Sequence, residues 1–100
     1  MPVIFEYFGF IFKFYSNEHE PIHVHVIKDG CETIFELIIE KGNLIDIRQR
    51  YKQGVTPLKG KDEHTALKFI EKYAENIINK WINYFILKNK IRKTIIKIKI

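Results

Sequence analysis

The first half of the chain alternates apolar and polar side chains with a period of two, which is typical of β-strands with one buried face. Val3–Tyr7 and Phe10–Ser16 follow this pattern on either side of Phe8-Gly9. Glycine accepts the positive φ that a tight turn requires, so the two segments are predicted to pair as a hairpin. The alternate phenylalanines of the second segment then share one face, and their bulk favours the core.

The same alternation continues beyond a polar loop at Asn17–Pro21. An Asp-Gly pair between alternating segments is a strong signal for a two-residue hairpin turn, and it occurs here at Asp29-Gly30. Two more strands and a loop that contains Gly and Pro are predicted after this turn. The predicted segments are a strand within Glu20–Ile27, a strand over Glu32–Ile39, a turn at Lys41-Gly42-Asn43, a strand over Leu44–Arg48 and a loop over Gln53–Lys61.

From Asp62 the apolar period changes to three or four residues, which predicts an amphipathic helix. Asp62 suits the N-cap, and Glu63 suits the positive end of the helix. One long helix is therefore predicted over about Asp62–Leu87, with Trp81 on its apolar stripe. Alternation returns at Thr94–Ile100, where lysines separate isoleucines, so we predict a last strand at a sheet edge that the lysines protect.

An antiparallel β-meander, one long helix in the C-terminal half and a short final strand predict an α+β fold with the helix packed on one sheet face. The other face is then open. A length of 100 residues and an apolar content of 46% favour a single domain over residues 1–100. The lone Cys31, a start without secretory features and the lack of an apolar run of about 20 residues predict a cytoplasmic protein without a membrane span.

Two histidines lie two residues apart in a segment that favours a strand. His23 and His25 should therefore share one face, while Val24 and Val26 point into the core from the other. A two-residue turn at Asp29-Gly30 would place His23 opposite a carboxylate and His25 opposite an isoleucine on the next strand. By this count the residue opposite His23 is Glu36.

This arrangement is a candidate catalytic site formed by His23, His25 and Glu36. Neutral imidazole is a base, a nucleophile and a metal ligand, and its ordinary pKa lies close to cellular pH. A carboxylate across from an imidazole can orient its tautomer and raise its pKa. The alternative interpretation is an ordinary polar pair on a hydrated sheet face.

The spacing of possible ligands does not favour a metal site. A third and a fourth ligand would have to come from Glu18, His19 or Glu36, whose spacing is not diagnostic. Histidine-triad hydrolases have a third histidine where this chain has Ile27, and the glycine and glutamate expected of a cupin site are missing. Because the chain also lacks a Gly-rich phosphate loop and a Cys-x-x-Cys pair, we predict no metal and no cofactor.

Positive charge is concentrated at the end of the chain. The net charge of +5 combines −2 over residues 1–75, from 10 basic and 12 acidic side chains, with +7 over residues 76–100, where seven are basic and none is acidic. Such a patch can follow a phosphate backbone, meet an acidic protein or simply be solvated. The candidate nucleic-acid-binding residues are Arg48, Arg50, Lys88, Lys90, Arg92 and Lys93.

Five segments carry motifs that occur together, namely Met1-Pro2-Val3-Ile4, Phe8-Gly9-Phe10, Phe14–His19, Pro21–Val26 and Lys80–Phe85. With them the chain resembles the family called domain of unknown function 4160, whose hallmark is a Pro-apolar-His-apolar-His-apolar strand before a Trp-containing helix. The resemblance implies a small bacterial protein, often encoded beside another small protein and assigned to a type II toxin–antitoxin system, usually as the toxin. It implies no proven catalytic residue.

Two functions are compatible with these features. In the first, the protein is a toxin that acts on RNA without a metal, with one histidine as base, the other as acid and an arginine as a clamp for the transition state. The basic tail and a second cluster would hold phosphates, and a cognate antitoxin protein would be its partner. That second cluster comprises Arg48, Arg50, Lys52, Lys59 and Lys61. In the second function, the open sheet face of a non-catalytic module docks a partner protein or a nucleic acid.

Overall fold

The computed structural model describes residues 2–14 and 22–100, which form strands and helices in the predicted order. The strands are β1 (Val3–Tyr7), β2 (Phe10–Lys13), β3 (Ile22–Lys28), β4 (Cys31–Glu40), β5 (Asn43–Tyr51) and β6 (Thr94–Ile96). The helices are α1 (Gly60–Lys72) and α2 (Ala74–Trp81), and a π-helical segment follows at Ile82–Ile86. The α+β class is thereby confirmed.

The strands form one sheet in the order β5-β4-β3-β2-β1-β6. Strands β1 to β5 pair antiparallel with their neighbours in sequence, as the predicted meander requires. Strand β6 lies parallel to β1 at the edge of the sheet and is shorter than the predicted Thr94–Ile100. Strand β5 is longer than predicted and includes Arg50. The predicted loop at Asn17–Pro21 lies outside the described residues.

The single long helix predicted over Asp62–Leu87 is wrong in detail, because the helix bends at Tyr73 and changes to π geometry after Trp81. A straight α-helix of that length would measure about 39 Å at 1.5 Å per residue, whereas the molecule is 34 Å across in its longest dimension. The hydrogen bond from the Tyr73 N–H to the Phe69 carbonyl, at 2.9 Å, continues through the bend. The bend therefore redirects the helix without breaking it.

The core lies between one sheet face and the helices, and it is centred on an aromatic ring from α1. Phe69 is fully buried, and its ring centroid lies 4.3 Å from that of Phe12 and 5.4 Å from that of Phe5. Tyr73 packs against the same group, with its centroid 4.6 Å from that of Phe69. Among the described residues, no helix combines the length and the apolar character that a membrane span requires.

Lys80 ties the C-terminal segment to α2. Its Nζ atom donates to the Arg92 carbonyl at 2.5 Å and to Oγ1 of Thr94 at 3.0 Å, and it lies 4.8 Å from the centre of the Phe5 ring. Burial lowers the pKa of the Lys80 ammonium. Lys80 thus links α2 to the segment that contains β6 and contacts Phe5 of β1.

We predict that Trp81→Ala lowers the free energy of unfolding by about 3–5 kcal/mol, because the indole is 6% exposed and packs 5.3 Å from the Phe85 ring. Ile86→Ala is the matched control. Ile86 follows in the same helical tract but is 57% exposed, so its removal should cost less than about 0.5 kcal/mol. Urea denaturation measures both, and equal midpoints for the two variants would contradict the assignment of Trp81 to the core.

Candidate functional site

The polar candidates lie on the sheet face opposite the helices. Val24 and Val26 are fully buried in the core cluster that contains Phe69, so strand alternation turns His23 and His25 to the helix-free face. The β3–β4 register is the one that the Asp29-Gly30 turn predicts, with His23 opposite Glu36 and His25 opposite Ile34. That prediction is confirmed pair by pair.

Each histidine lies within hydrogen-bond distance of a glutamate on β4, and each glutamate also lies beside a cationic side chain. Nε2 of His23 lies 2.8 Å from Oε2 of Glu36, and Nδ1 of His25 lies 3.1 Å from Oε2 of Glu32. The cations come from β5 and the residue just after it: Nη1 of Arg50 lies 3.1 Å from Glu36, and Nζ of Lys52 lies 3.6 Å from Oε1 of Glu32. We call these two groups the His23 cluster (His23, Glu36, Arg50) and the His25 cluster (His25, Glu32, Lys52).

The His23 cluster offers a partner to the imidazole in either proton state of Nε2. This atom lies 2.8 Å from Glu36 and 3.2 Å from Nη1 of Arg50. A carboxylate accepts hydrogen bonds and a guanidinium donates them. With a proton on Nε2 the ring donates to Glu36, and without that proton Nε2 accepts from Arg50. Either tautomer of the ring therefore has a hydrogen-bond partner at Nε2.

The same contacts set the ionisation of Glu36. Burial raises the pKa of this carboxyl, but hydrogen bonds from His23 and Arg50 and the attraction of their charges outweigh it. The pKa of Glu36 therefore lies below its ordinary value of 4.5. The carboxylate stays charged and holds the imidazole in place.

His25 is more deeply buried than strand alternation on an open face predicts. Only 3% of the residue is exposed, although it lies on the helix-free face. The side chain of His23 is 12% exposed, so of the two imidazoles His23 reaches solvent more readily. Lys13 of β2 lies directly opposite His25 in the register.

Glu32 is the site residue that sequence reasoning missed. It is paired with Ile27 in the register and reaches His25 diagonally, two residues away from the position opposite that histidine. Diagonal neighbours on antiparallel strands lie within reach of long side chains. A search for carboxylates at diagonal positions as well as at directly opposite ones would have found it.

The predicted nucleic-acid-binding residues fall into two separate groups. Arg48 and Arg50 lie on β5, where Arg50 joins the His23 cluster and Arg48 forms an ion pair with Asp46 at 3.2 Å. In the tail group, Arg92 and Lys93 lie just before β6 at the opposite edge of the sheet, about 24 Å away if five strand spacings of about 4.8 Å separate β5 from β6. Lys88 and Lys90 lie instead beside the π-helical segment. This tail group comprises Lys88, Lys90, Arg92 and Lys93, of which Lys93 forms an ion pair with Glu6 at 2.9 Å.

Within residues 2–14 and 22–100, no group of three His, Cys, Asp or Glu side chains is arranged to hold a metal ion. Glu18 and His19, which were considered as ligands above, lie outside this part of the chain.

Comparison with known proteins identifies a family. The family model described as Domain of unknown function (DUF4160) matches residues 9–82. The chain belongs to this family. No curated protein and no solved structure matches it. The matched span contains both histidine clusters and Trp81 and ends before the tail group.

We predict that Glu36→Gln makes the free energy of unfolding less dependent on pH under acidic conditions. Because the pKa of Glu36 is lowered on folding, its contribution to stability is complete above the unfolded value of about 4.5 and is lost as the pH falls through the folded pKa. Between about pH 5.5 and pH 3 the variant should therefore lose less stability than the parent. Glu40→Gln, at an exposed position at the end of β4, is the control and should keep the parental slope. Parallel profiles for parent and Glu36→Gln in urea titrations would contradict this prediction.

Proposed function

We propose that this protein is the toxin-like component of a bacterial toxin–antitoxin pair and that it cleaves RNA without a metal ion through the His23 cluster. The resemblance described above implies the genetic setting, and the cluster supplies the chemistry. The observation that carries the proposal is the position of His23 Nε2 within hydrogen-bond distance of both Glu36 and Arg50. In this proposal His23 is the base, Glu36 orients it and Arg50 binds the phosphate.

Arg50 is the group that meets the substrate first. Its side chain is 58% exposed, and guanidinium binds phosphate oxygens through paired hydrogen bonds. A phosphate that draws Arg50 away removes the hydrogen bond that Arg50 donates to Nε2 of His23, so that Nε2 can take up a proton and then donate it to Glu36. Arg48, 65% exposed on the same strand, would hold the neighbouring phosphate.

RNA carries its own nucleophile, so few protein groups are needed. Nε2 of His23 takes the proton of the 2′-hydroxyl, the 2′-oxygen forms a bond to phosphorus, and the bond from phosphorus to the 5′-oxygen breaks. The leaving oxygen takes a proton from water, which gives a 2′,3′-cyclic phosphate and a 5′-hydroxyl. Arg50 stabilises the negative charge that grows on the phosphoryl oxygens.

The sequence predicts His25 as an acid or a base, but in this proposal it positions His23. Its side chain is 4% exposed, so it cannot meet a leaving oxygen on the surface. Its pairing with Glu32 instead fixes the strand beside His23. We therefore assign His25 to positioning.

A second candidate function is docking of a partner protein without catalysis. An apolar groove of about 590 Å³ between the sheet and α2 favours it. The groove lies on the helix side of the sheet, and the histidine clusters lie on the other side. It is lined by Ile22, Leu37, Ile82 and Ile86. Grooves of this kind accept apolar side chains of a partner helix.

We predict that the purified protein cleaves single-stranded RNA in the presence of chelator and that His23→Gln slows cleavage by at least about 100-fold, the usual contribution of a general base. Arg50→Gln should slow it comparably because the transition-state charge loses its partner. Product analysis should show cyclic phosphate ends. Lys72→Gln, at an exposed lysine of α1 outside the cluster, is the control and should retain the parental rate.

Each variant is checked by thermal unfolding, so that loss of activity is not mistaken for loss of fold. Cleavage that requires a divalent cation, or His23→Gln with the parental rate, would contradict the catalytic proposal. Absence of cleavage together with capture of a cognate partner would favour the docking function.

The tail group gives a separate prediction about binding. Lys88→Gln, Lys90→Gln, Arg92→Gln and Lys93→Gln, combined in one variant, should weaken RNA binding and make it less dependent on salt. Each lost phosphate contact reduces the slope of log affinity against log salt by about 0.7 for single strands. Stability should change little, because exposed charges contribute less than about 1 kcal/mol each. An unchanged affinity and salt slope in fluorescence anisotropy would remove the tail from the RNA-binding surface.

A further inference from the structure

A cavity of about 480 Å³ lies at the end of the sheet, between the β1–β2 turn and the first turns of α1. Four lysines line it, and among the described residues that line it Asp62 is the only one with an acidic side chain. The lysines come from β3, α1 and the C-terminal segment: Lys28, Lys61, Lys68 and Lys99. Three separate parts of the chain thus bring positive charge to one place.

An exposed aromatic ring forms one wall of this cavity. Phe8 is 51% exposed, and its ring stands edge-on to that of Tyr7 with the centroids 4.9 Å apart. Nζ of Lys99 lies 5.7 Å from the Phe8 ring. A second ring, that of Phe10, has Nζ of Lys28 4.7 Å from its centre. The cavity therefore combines aromatic faces with ammonium groups.

The backbone at Phe8 is in a conformation that a phenylalanine seldom adopts. Its φ is +42°, and Gly9 follows at +87°, as in a hairpin turn whose first central position prefers Asn, Asp or Gly. A bulky residue with positive φ is strained. The other two hairpins place a short or flexible polar residue there, namely Asp29 at +50° and Lys41 at +52°. The turn does not favour a phenylalanine here, and although its ring contacts Tyr7, about half of the side chain remains exposed.

We propose that this cavity binds a nucleotide, with the base stacked on Phe8 and the phosphate held by the surrounding lysines. The inference rests on the proposed action on RNA and adds a second contact point for the strand. Stacking on an exposed ring is how proteins hold unpaired bases without regard to sequence, and lysines beside the ring neutralise the phosphates. Two carboxylates lie near Nζ of Lys28, Asp62 at 3.3 Å and Asp29 at 3.9 Å, so the four ammonium groups still outnumber the acidic side chains around the cavity.

The position of the cavity relative to the His23 cluster fits a single strand of RNA. Lys28 lies five residues beyond His23 on β3, about 16 Å along the strand, and its side chain points to the helix side of the sheet. An RNA strand bound both at the cavity and at the His23 cluster would pass around the edge of the sheet where the Phe8-Gly9 and Asp29-Gly30 turns lie. The cavity then sets which part of the RNA reaches His23.

The test uses a labelled single-stranded oligoribonucleotide with 2′-O-methyl groups, which cannot be cleaved, and an abasic oligonucleotide of the same length. We expect the full-length protein to prefer the base-bearing oligonucleotide. Phe8→Asn should weaken that binding by about tenfold, the usual loss when one stacked base loses its ring, and should leave binding of the abasic oligonucleotide unchanged. Its midpoint of thermal unfolding should not fall, because asparagine suits the turn better.

Lys41→Asn is the matched control, since it introduces the same residue at the equivalent position of another hairpin. It should leave the preference for the base-bearing oligonucleotide intact. Lys61→Gln with Lys68→Gln should weaken binding of both oligonucleotides and lower the salt slope, because it removes phosphate contacts and no stacking. Binding of adenosine 5′-monophosphate as tightly as the oligonucleotide would support the cavity and identify its ligand as a free nucleotide.

Equal affinity of the parent for the two oligonucleotides, or an unchanged affinity in Phe8→Asn, would overturn the proposal. A large fall in the unfolding midpoint of Phe8→Asn would also overturn it, because Phe8 would then be a packing residue. These outcomes are separate from failure of the catalytic proposal. A protein that binds through Phe8 but does not cleave RNA retains the cavity and loses the role of His23.

Discussion

The two-residue turn at Asp29-Gly30 sets the register of β3 against β4, and both faces of the sheet depend on that register. A slip of one residue would turn every side chain of a strand to the opposite face. Val24 and Phe35 are paired and fully buried on the helix side, and His23 and Glu36 are paired on the other. The register that buries Val24 and Phe35 in the core therefore also places His23 beside Glu36.

On the helix-free face, β5 and the residue just after it supply cations to the two glutamates. Strand β5 adds Arg50 beside Glu36, and Lys52 beyond its end lies near Glu32, so that each carboxylate has both an imidazole and a cation for partners. Partly buried ionisable groups need such partners, because an unpaired charge away from water is costly. The two clusters differ in access, since His23 and Arg50 reach the surface while His25 does not. The proposed mechanism accordingly gives proton transfer to the first cluster and positioning to the second.

Much of this arrangement follows from local sequence rules, and the remainder depends on tertiary packing. The Asp-Gly turn and strict alternation are enough to pair His23 with Glu36, because a tight turn leaves little freedom in register. The bend at Tyr73 is different, since it arises where a long helix must stay on a short sheet. The contact of Glu32 with His25 was missed because it is diagonal, and the burial of His25 depends on what surrounds the face rather than on its own strand.

The central claim is that the His23 cluster, on the helix-free face, is where RNA reacts. Imidazole ¹⁵N resonances, recorded while an uncleavable single-stranded RNA is added, test it most directly. We expect the Nε2 signal of His23 to move as phosphate draws Arg50 away, while the signals of the buried His25 stay near their positions in the free protein. An unchanged His23 signal, together with backbone amide shifts confined to residues 88–93 in the same titration, would contradict the claim and place the RNA on the tail group.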